Sequence, residues 1–506
     1  MRRDIGPEVQ LDRVPEPRHQ TSWRIVFSFP VALAPLLIVL TLFTIRSRFS
    51  DPDMWWHMKT GEIVWNTHTV PQVDVFSFTT NGHRWTPQEW FSQLAIYGAY
   101  HATGYQGLML WFCTFASLIV VGGYVLCAMY SGNVKVAFLG GLGIWLFSTV
   151  GLAIRPQLVG YLLLICELCI LHLGRSRDWR WFFALPALFA LWVNCHASFF
   201  FGLIVCAAVL FSSFIELRVG LLVSHRWEKA SRQMLLGAFG LSIAALFINP
   251  AGWNQVAYPL NTIFSQHIGL SVVSEWKPPV FDNFRALALL AVTGLILIVP
   301  LLRCVPLFLH ELLLLALGFG LAIQHERMMF VFGILAVPIL CRLLSDTWEG
   351  YEPRRDHPLL NAFLITGSLS LAFSVMPDVH QLNLQVERHN PVKAVEFIKR
   401  SGISGRMLNE YVFGGYLIWA APEHKVFIDG RSDVFEWTGV LTDYGKLFTL
   451  EEDPKPILDN YHIDFCLLAR GEPITQVLPL LPDWKLIYSD DRSVIFQRSA
   501  TSVRKG

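Results

Sequence analysis

The sequence predicts a polytopic α-helical membrane protein of about eleven transmembrane helices that ends in a soluble α/β domain. Three observations carry this. The chain of 506 residues is 53% hydrophobic and only 16% charged, whereas soluble domains hold about a quarter charged residues. Apolar runs suited to crossing about 30 Å of hydrocarbon recur between residues 24 and 376. From about residue 378 those runs give way to a mixed, amphipathic pattern.

Residues 1–23 are polar, hold Arg2, Arg3, Arg13 and Arg18, and read as a cytoplasmic tail. A full-length apolar run follows with no small-residue cleavage site, so no cleavable signal peptide is expected. Residues 24–45 form the first span, with Pro30 and Pro35 as kink points. Residues 46–105 form an external loop with interfacial helices. Its stretch 51–89 begins DPDMWWHMKTGEIVWNTHTVPQVDVFSF and ends TPQEW. Residues 88–102 are apolar enough for a helix but short for a span, and Glu89, Gln93 and His101 suit a helix lying at the membrane surface. Further spans are expected at 106–129, 134–152, 157–174, 181–194, 197–217, 233–248, 285–302, 304–323, 328–345 and 359–376. With 88–102 on the surface and the N-terminus inside, the two loops richest in Arg and Lys, 174–180 and 218–232, face the cytoplasm, as the positive-inside rule requires. An odd number of spans then puts residues 378–506 outside. There NPVKAVEFIKRSG has helical spacing and stops at Gly402, while YLIWAA, KVFIDG, FCLLA, WKLIYS and SVIFQR read as short strands.

Several function classes fall away. A net charge of +1 gives no argument for a nucleic-acid partner. Eight of the nine cysteines lie in or beside apolar segments and read as small hydrophobes; this holds for Cys166 and Cys169 despite their CxxC spacing. There is no Walker loop, dinucleotide fingerprint, HExxH or GxSxG. An enzyme on the outer face therefore draws on a donor already in the membrane.

The topology gathers ionisable groups at the external ends of the spans: Asp51, Asp53 and Glu89 in the loop, Arg155 in IRPQ, His196 in WVNCH, Glu275 in SEWKPP, and His325 and Arg327 in IQHERMM. Such groups are costly unless paired or wet, so a shared water-filled cavity is expected. Asp51 and Asp53 have three available uses: holding a divalent metal such as Mg or Mn, acting as general base on an acceptor hydroxyl, or capping the helix that starts at MWWHMK. Trp55, Trp56 and His57 crowd Asp53 and favour function there, although tryptophans at this depth also anchor to the lipid interface. Glu89 is either a second carboxylate on the cavity or an acid favoured by the start of the 88–102 helix. Arg155 and Arg327 have donor geometry suited to phosphate, or snorkel to headgroups. His196 is a phosphate donor, a general acid or a structural histidine, and Glu275 touches substrate or is exposed. The GRSD turn (430–433) reads chiefly as a loop held by an internal Arg–Asp pair.

These residues resemble the GT-C superfamily of integral membrane glycosyltransferases. In that family a first-loop aspartate, often in a D-x-D motif, is central, and DPD (51–53) fits it. The resemblance implies a polyprenyl-phosphate or -diphosphate sugar as donor and a lipid, glycan or protein acceptor. It implies chemistry on the outer face, in bacteria that of the inner (plasma) membrane. It matches Glu89 by position to the second acid and gives Arg155 and Arg327 the lipid phosphate. SDPDMWWHMKTGEIVW, RPQL, NEYVFGGYLIW and VFIDGRSDVF further resemble a broad set of bacterial membrane proteins over most of the chain. The chain departs from the family where TPQEW replaces the KPP after the second acid and where WWDYG is absent. Diphosphate-using members need a metal and several monophosphate-using members do not. The rival readings are a transporter or flippase for a lipid-linked substrate, for which Glu167 in mid-span is the main argument, and a non-catalytic membrane assembly protein.

Overall fold

The computed structural model describes residues 22–265 and 276–499. Each of the eleven predicted spans coincides with a helix. Among the described residues three of them, Tyr105–Ser131, Gln157–Ser176 and Phe284–Arg303, are long and apolar enough to cross a membrane, and Pro358–Ser374 with Val379–His389, bent by 52°, makes a fourth only when the pair is counted as one span. The others are shorter, such as the 17 residues of Phe29–Ile45 and the 15 of Val134–Ser148, because local chemistry cuts the apolar runs. Residues 181–194 enter through a 3-10 turn, Trp179–Phe183, and 304–323 begins with a two-residue strand, Leu307–Phe308. Side-chain caps set other starts: Asn133 accepts from the Lys135 amide at 3.1 Å and Asn283 from the Ala286 amide at 3.0 Å.

Helix Tyr105–Ser131 is the hub. It packs on Val134–Ser148, Gln157–Ser176, Met329–Leu343 and Phe29–Ile45. The shared core includes Leu37, Phe112, Ile144 and Phe332, all fully buried. Leu302, Leu359, Phe363 and Phe373 stay exposed on the outside, the face a bilayer covers. The chain is thus an integral membrane protein.

The first loop folds as two helices, Met54–Thr67 and Trp90–Thr103, packed on each other. The second has 14 residues and a length of about 21 Å, too short to span.

At the C-terminal end, Val392–Ser401 is the expected helix, closed by Gly402 in the left-handed region at φ 66°. Strand Met407–Asn409 pairs in parallel with Phe465–Ala469, which pairs antiparallel with Ser493–Arg498, and that with Trp484–Ser489. Two expectations are corrected. YLIWAA lies in a helix, Tyr411–Ala420, since a short apolar run reads equally as buried strand or buried helix. KVFIDG is not a strand of this sheet; it is extended and meets the first loop in one parallel bridge, Ser77 to Val426. One apolar core runs from Leu33 through Trp55 to Tyr416, Leu417 and Ile495. A second core, around Phe427 and Phe496, lies within the C-terminal part.

Candidate active site

Asp51 and Asp53 lie between the first span and helix Met54–Thr67, and Arg155, just before Gln157–Ser176, reaches both. Its Nε donates to Asp51 Oδ1 at 2.8 Å, and a terminal nitrogen lies 3.3 Å from Asp53 Oδ2. Asp53 stands at the N-cap position but its side chain does not cap. Its Oδ1 instead accepts from Trp56 Nε1 at 3.2 Å, while Asp51 Oδ1 accepts the Asp53 amide at 3.0 Å. The C-terminal part forms the opposite wall. A Cβ on Gly430 would fall 1.8 Å from Asp53 Oδ1, and one on Gly415 would fall 2.2 Å from the Pro52 carbonyl oxygen. Only glycine lets these backbones approach so closely.

Glu89 occupies the N-cap position of Trp90–Thr103, and it too leaves the cap unmade. Trp90 Nε1 donates to Asn194 Oδ1 at 2.8 Å and Ser92 Oγ to the Cys195 carbonyl at 2.9 Å. These bonds dock the helix on WVNCH and bring Glu89 Oε1 within 3.2 Å of His196 Nε2. Its other oxygen lies 3.7 Å from His57 Nδ1. The Ser198 amide donates to His196 Nδ1 at 3.1 Å, so the ring hydrogen sits on Nε2 and points at Glu89. Gln93 Nε2 donates to His57 Nδ1 at 3.1 Å. Burial pushes the Glu89 carboxyl up to about 8 against the pull of Arg327 and Arg155, and the charges of Asp53 and Asp433 add to the rise. Burial, helped by Arg327, takes His196 down to about 3. Burial and the nearby Arg155, with His196 and Arg327, hold His57 well below its usual range. At neutral pH both rings are neutral and the acid is largely protonated.

Arg327 lies in the turn Glu326–Met328, donates to the side-chain oxygen of buried Gln157 and stacks over Trp276 with its guanidinium carbon 5.4 Å from the ring centroid. Its charge reaches Glu89, His57 and His196. His325 turns elsewhere, its Nδ1 donating to the Trp276 carbonyl at 2.6 Å. Glu275 lies outside the described residues. Two arginines that the sequence did not single out adjoin this end of the bundle: Arg48 donates to the Thr149 carbonyl at 2.5 Å, and Arg285 to Thr149 Oγ1 at 3.4 Å and Glu326 at 3.1 Å.

Arg431 of the GRSD turn does make an internal pair, but its partners are Asp429, at 2.8 and 2.6 Å, and Asp74 of the first loop at 2.6 Å. All three are buried. Asp433 instead accepts from Tyr258 at 3.1 Å. Asp74 and Asp433 had no local signal, because each acquires its role from a residue more than 150 positions away.

For a metal, the donor set fits poorly. Arg155 already bridges the Asp51–Asp53 pair, and among the described residues no three His, Cys, Asp or Glu side chains gather as ligands.

Comparison with solved structures finds this architecture in oligosaccharyltransferases and in ArnT. The oligosaccharyltransferase of Archaeoglobus fulgidus, tethered to an acceptor peptide containing the NVT sequon, is 12% identical over 95% of this chain and 74% of its own, with a TM-score of 0.56. The archaeal oligosaccharyltransferase AglB from the same organism, with an inhibitory peptide and a dolichol-phosphate, is 11% identical over 88% and 69%, TM-score 0.55. ArnT from Cupriavidus metallidurans bound to undecaprenyl phosphate is 12% identical over 95% and 99%, TM-score 0.53. At such identities the likeness is one of fold alone. No protein-family model and no curated protein matches the sequence.

Proposed function

We propose that this GT-C-fold chain is a glycosyltransferase that moves a sugar from a polyprenyl-phosphate-linked donor to an extracytoplasmic acceptor, in a bacterial plasma membrane. One observation carries the reading. Three acids and two arginines from four distant segments converge at one end of a bundle whose solved counterparts hold dolichol-phosphate or undecaprenyl phosphate. In this reading Arg327 and Arg155 hold the donor phosphate and stabilise the charge it gains on leaving, with Arg48 and Arg285 as a flanking pair. An acceptor oxygen bonds to the anomeric carbon as the bond from that carbon to the phosphate oxygen breaks. The acceptor's proton passes to a carboxylate. Asp53, fixed by Arg155, Trp56 and Gly430, orients the acceptor; Glu89 takes the proton in its ionised form, the minor one at neutral pH and the one that grows as pH approaches 8. Arg155 supplies the positive charge a metal would bring to the acid pair.

The transport reading rests on Glu167, buried in Gln157–Ser176 with neither carboxyl oxygen partnered among the described residues; it is a single acid remote from the cluster at the helix ends. The test is glycan and lipid-linked-sugar profiling by mass spectrometry. It compares the wild type, a deletion strain, and that strain carrying Asp53→Asn at verified expression. Loss of one glycan in both altered strains, with build-up of its lipid-linked donor, is expected. A wild-type profile from Asp53→Asn rules out catalysis at this site.

A further inference from the structure

Beside the acid cluster lies a cleft of about 610 Å³ walled by the first loop, helix Trp253–Ser265 and the segment after Arg431. Three features of its wall point to one kind of occupant. Trp437 is half exposed there, at 53%, and offers a flat aromatic face. Asp433, Asn254 and Gln88 supply carboxylate and amide groups, which accept and donate to paired hydroxyls. Gln255 is 1% exposed, and its Nε2 donates to the carbonyl oxygens of Val193 at 2.6 Å and Gln88 at 3.1 Å. Those two bonds fix the amide orientation and leave Oε1 buried without a partner among the described residues, an atom that a donor hydroxyl would satisfy.

We infer that this cleft is the acceptor subsite and that it takes a saccharide, the pyranose face lying on Trp437 and its hydroxyls on Asp433 and Gln255. This deepens the glycosyltransferase reading and rests on it for the word acceptor. The chemistry argues against the other classes. No strand of either sheet contributes to the wall, so a peptide finds no edge to extend. A lipid chain would need an unbroken apolar lining, and this wall interleaves aromatic faces such as Trp85, Tyr258 and Trp437 with amides, threonines and a carboxylate, the mixture that a sugar's apolar face and hydroxyls meet together. The cleft also connects to the chemistry, since Gln88 adjoins Glu89 in sequence and the Asp433 charge is felt at Glu89.

The test uses the full chain in lipid nanodiscs free of glycolipid and of sugar-based detergent, read by saturation-transfer difference NMR. The probes are chitobiose, maltose, mannobiose and lactose, with a Ser/Thr-containing pentapeptide and inorganic phosphate as comparisons. At least one disaccharide should take up saturation. Its affinity should fall about tenfold in Trp437→Ala and in Asp433→Asn, recover in Trp437→Phe, and hold in Trp65→Ala, which removes an exposed tryptophan elsewhere. Binding of no disaccharide, binding that ignores both cleft variants, or binding of the peptide alone overturns the inference. The Asp53→Asn chain separates the two readings. Disaccharide binding to the cleft together with a wild-type glycan profile from Asp53→Asn keeps the subsite and overturns catalysis at Asp53; loss of the glycan in Asp53→Asn with no disaccharide binding to either chain keeps the catalysis and overturns the subsite.

Discussion

At Glu89 the balance between burial and two arginines leaves a carboxyl near 8, so its basic form grows as pH rises through that value. If Glu89 takes the acceptor proton, transfer by the purified chain should show a rising limb near pH 8. Glu89→Gln should flatten that limb and lower the rate about 10²-fold or more. A limb unchanged in Glu89→Gln would remove it from the proton path. Gly430 offers a second test, because its hydrogen faces the Asp53 carboxylate. Gly430→Ala must displace Asp53 or the turn, since the new carbon would sit 1.8 Å from Oδ1. A displacement near 1 Å should cost about 10²-fold in transfer with thermal stability little changed; full activity would show that Asp53 needs no such wall. Glu89 was singled out in the sequence as a second carboxylate on the cavity; Gly430 was not. DPD announced its acids through the crowded aromatics beside them, but nothing local to 430 says that its backbone closes on residue 53. Glu89 was visible as an acid, while its altered titration depends on burial beneath WVNCH, more than 100 positions on.

The elements that build the site come in two kinds, and only one is readable. Apolar runs declare themselves, and each predicted span coincides with a helix. Junctions between distant elements do not. YLIWAA was read as a short strand and lies in helix Tyr411–Ala420, which is apolar all round, as suits a helix buried between Met54–Thr67 and the C-terminal core. The tie between Asp74, Arg431 and Asp429 is similar: an ion triad with all three side chains at most 1% exposed joins the first loop to the C-terminal part. Removing only the cation strands two buried carboxylates, so Arg431→Met should destabilise the chain by about 3–5 kcal/mol, read as a large drop in the unfolding temperature in detergent. Asp74→Asn/Asp429→Asn added to Arg431→Met should regain part of it. Burial pushes the Asp74 carboxyl up, but Arg431 and the Ser77 and Thr80 hydroxyls more than reverse this, and the net direction is down. The folded chain therefore binds this proton less readily than the unfolded one. The stability it brings is complete above about pH 4 and is lost as pH falls through the lower folded value. Asp74→Asn should flatten that acid limb of a stability–pH curve.

For the whole molecule, the composition break near residue 378 suggested a domain that could be detached, and the packing argues otherwise. Trp55 of the first loop meets Tyr416 edge-on at 5.0 Å, Thr79 Oγ1 donates to the Phe427 carbonyl at 2.6 Å, and the core containing Leu33 also contains Leu417 and Ile495. The C-terminal part thus completes the first loop rather than sitting beyond it. Two readings of the protein differ here. A scaffold that presents a separable domain should tolerate expression of residues 1–377 and 378–506 as independent folded pieces, each stable alone. A transferase whose acid site is walled by Gly415 and Gly430 should not. Expressed alone, 1–377 should lose protection of the loop 51–89, seen as rapid proteolytic cleavage there, and 378–506 should aggregate through the bared faces of Phe413, Tyr416 and Leu417. Co-expressed in one membrane, the two pieces should restore both loop protection and the glycan lost on deletion, whereas co-expression with Gly430→Ala in the second piece should restore protection but little of the glycan. If 1–377 alone keeps the loop protected and restores the glycan, the C-terminal part is dispensable to the site, and the assignment of Gly430 and of the cleft fails with it.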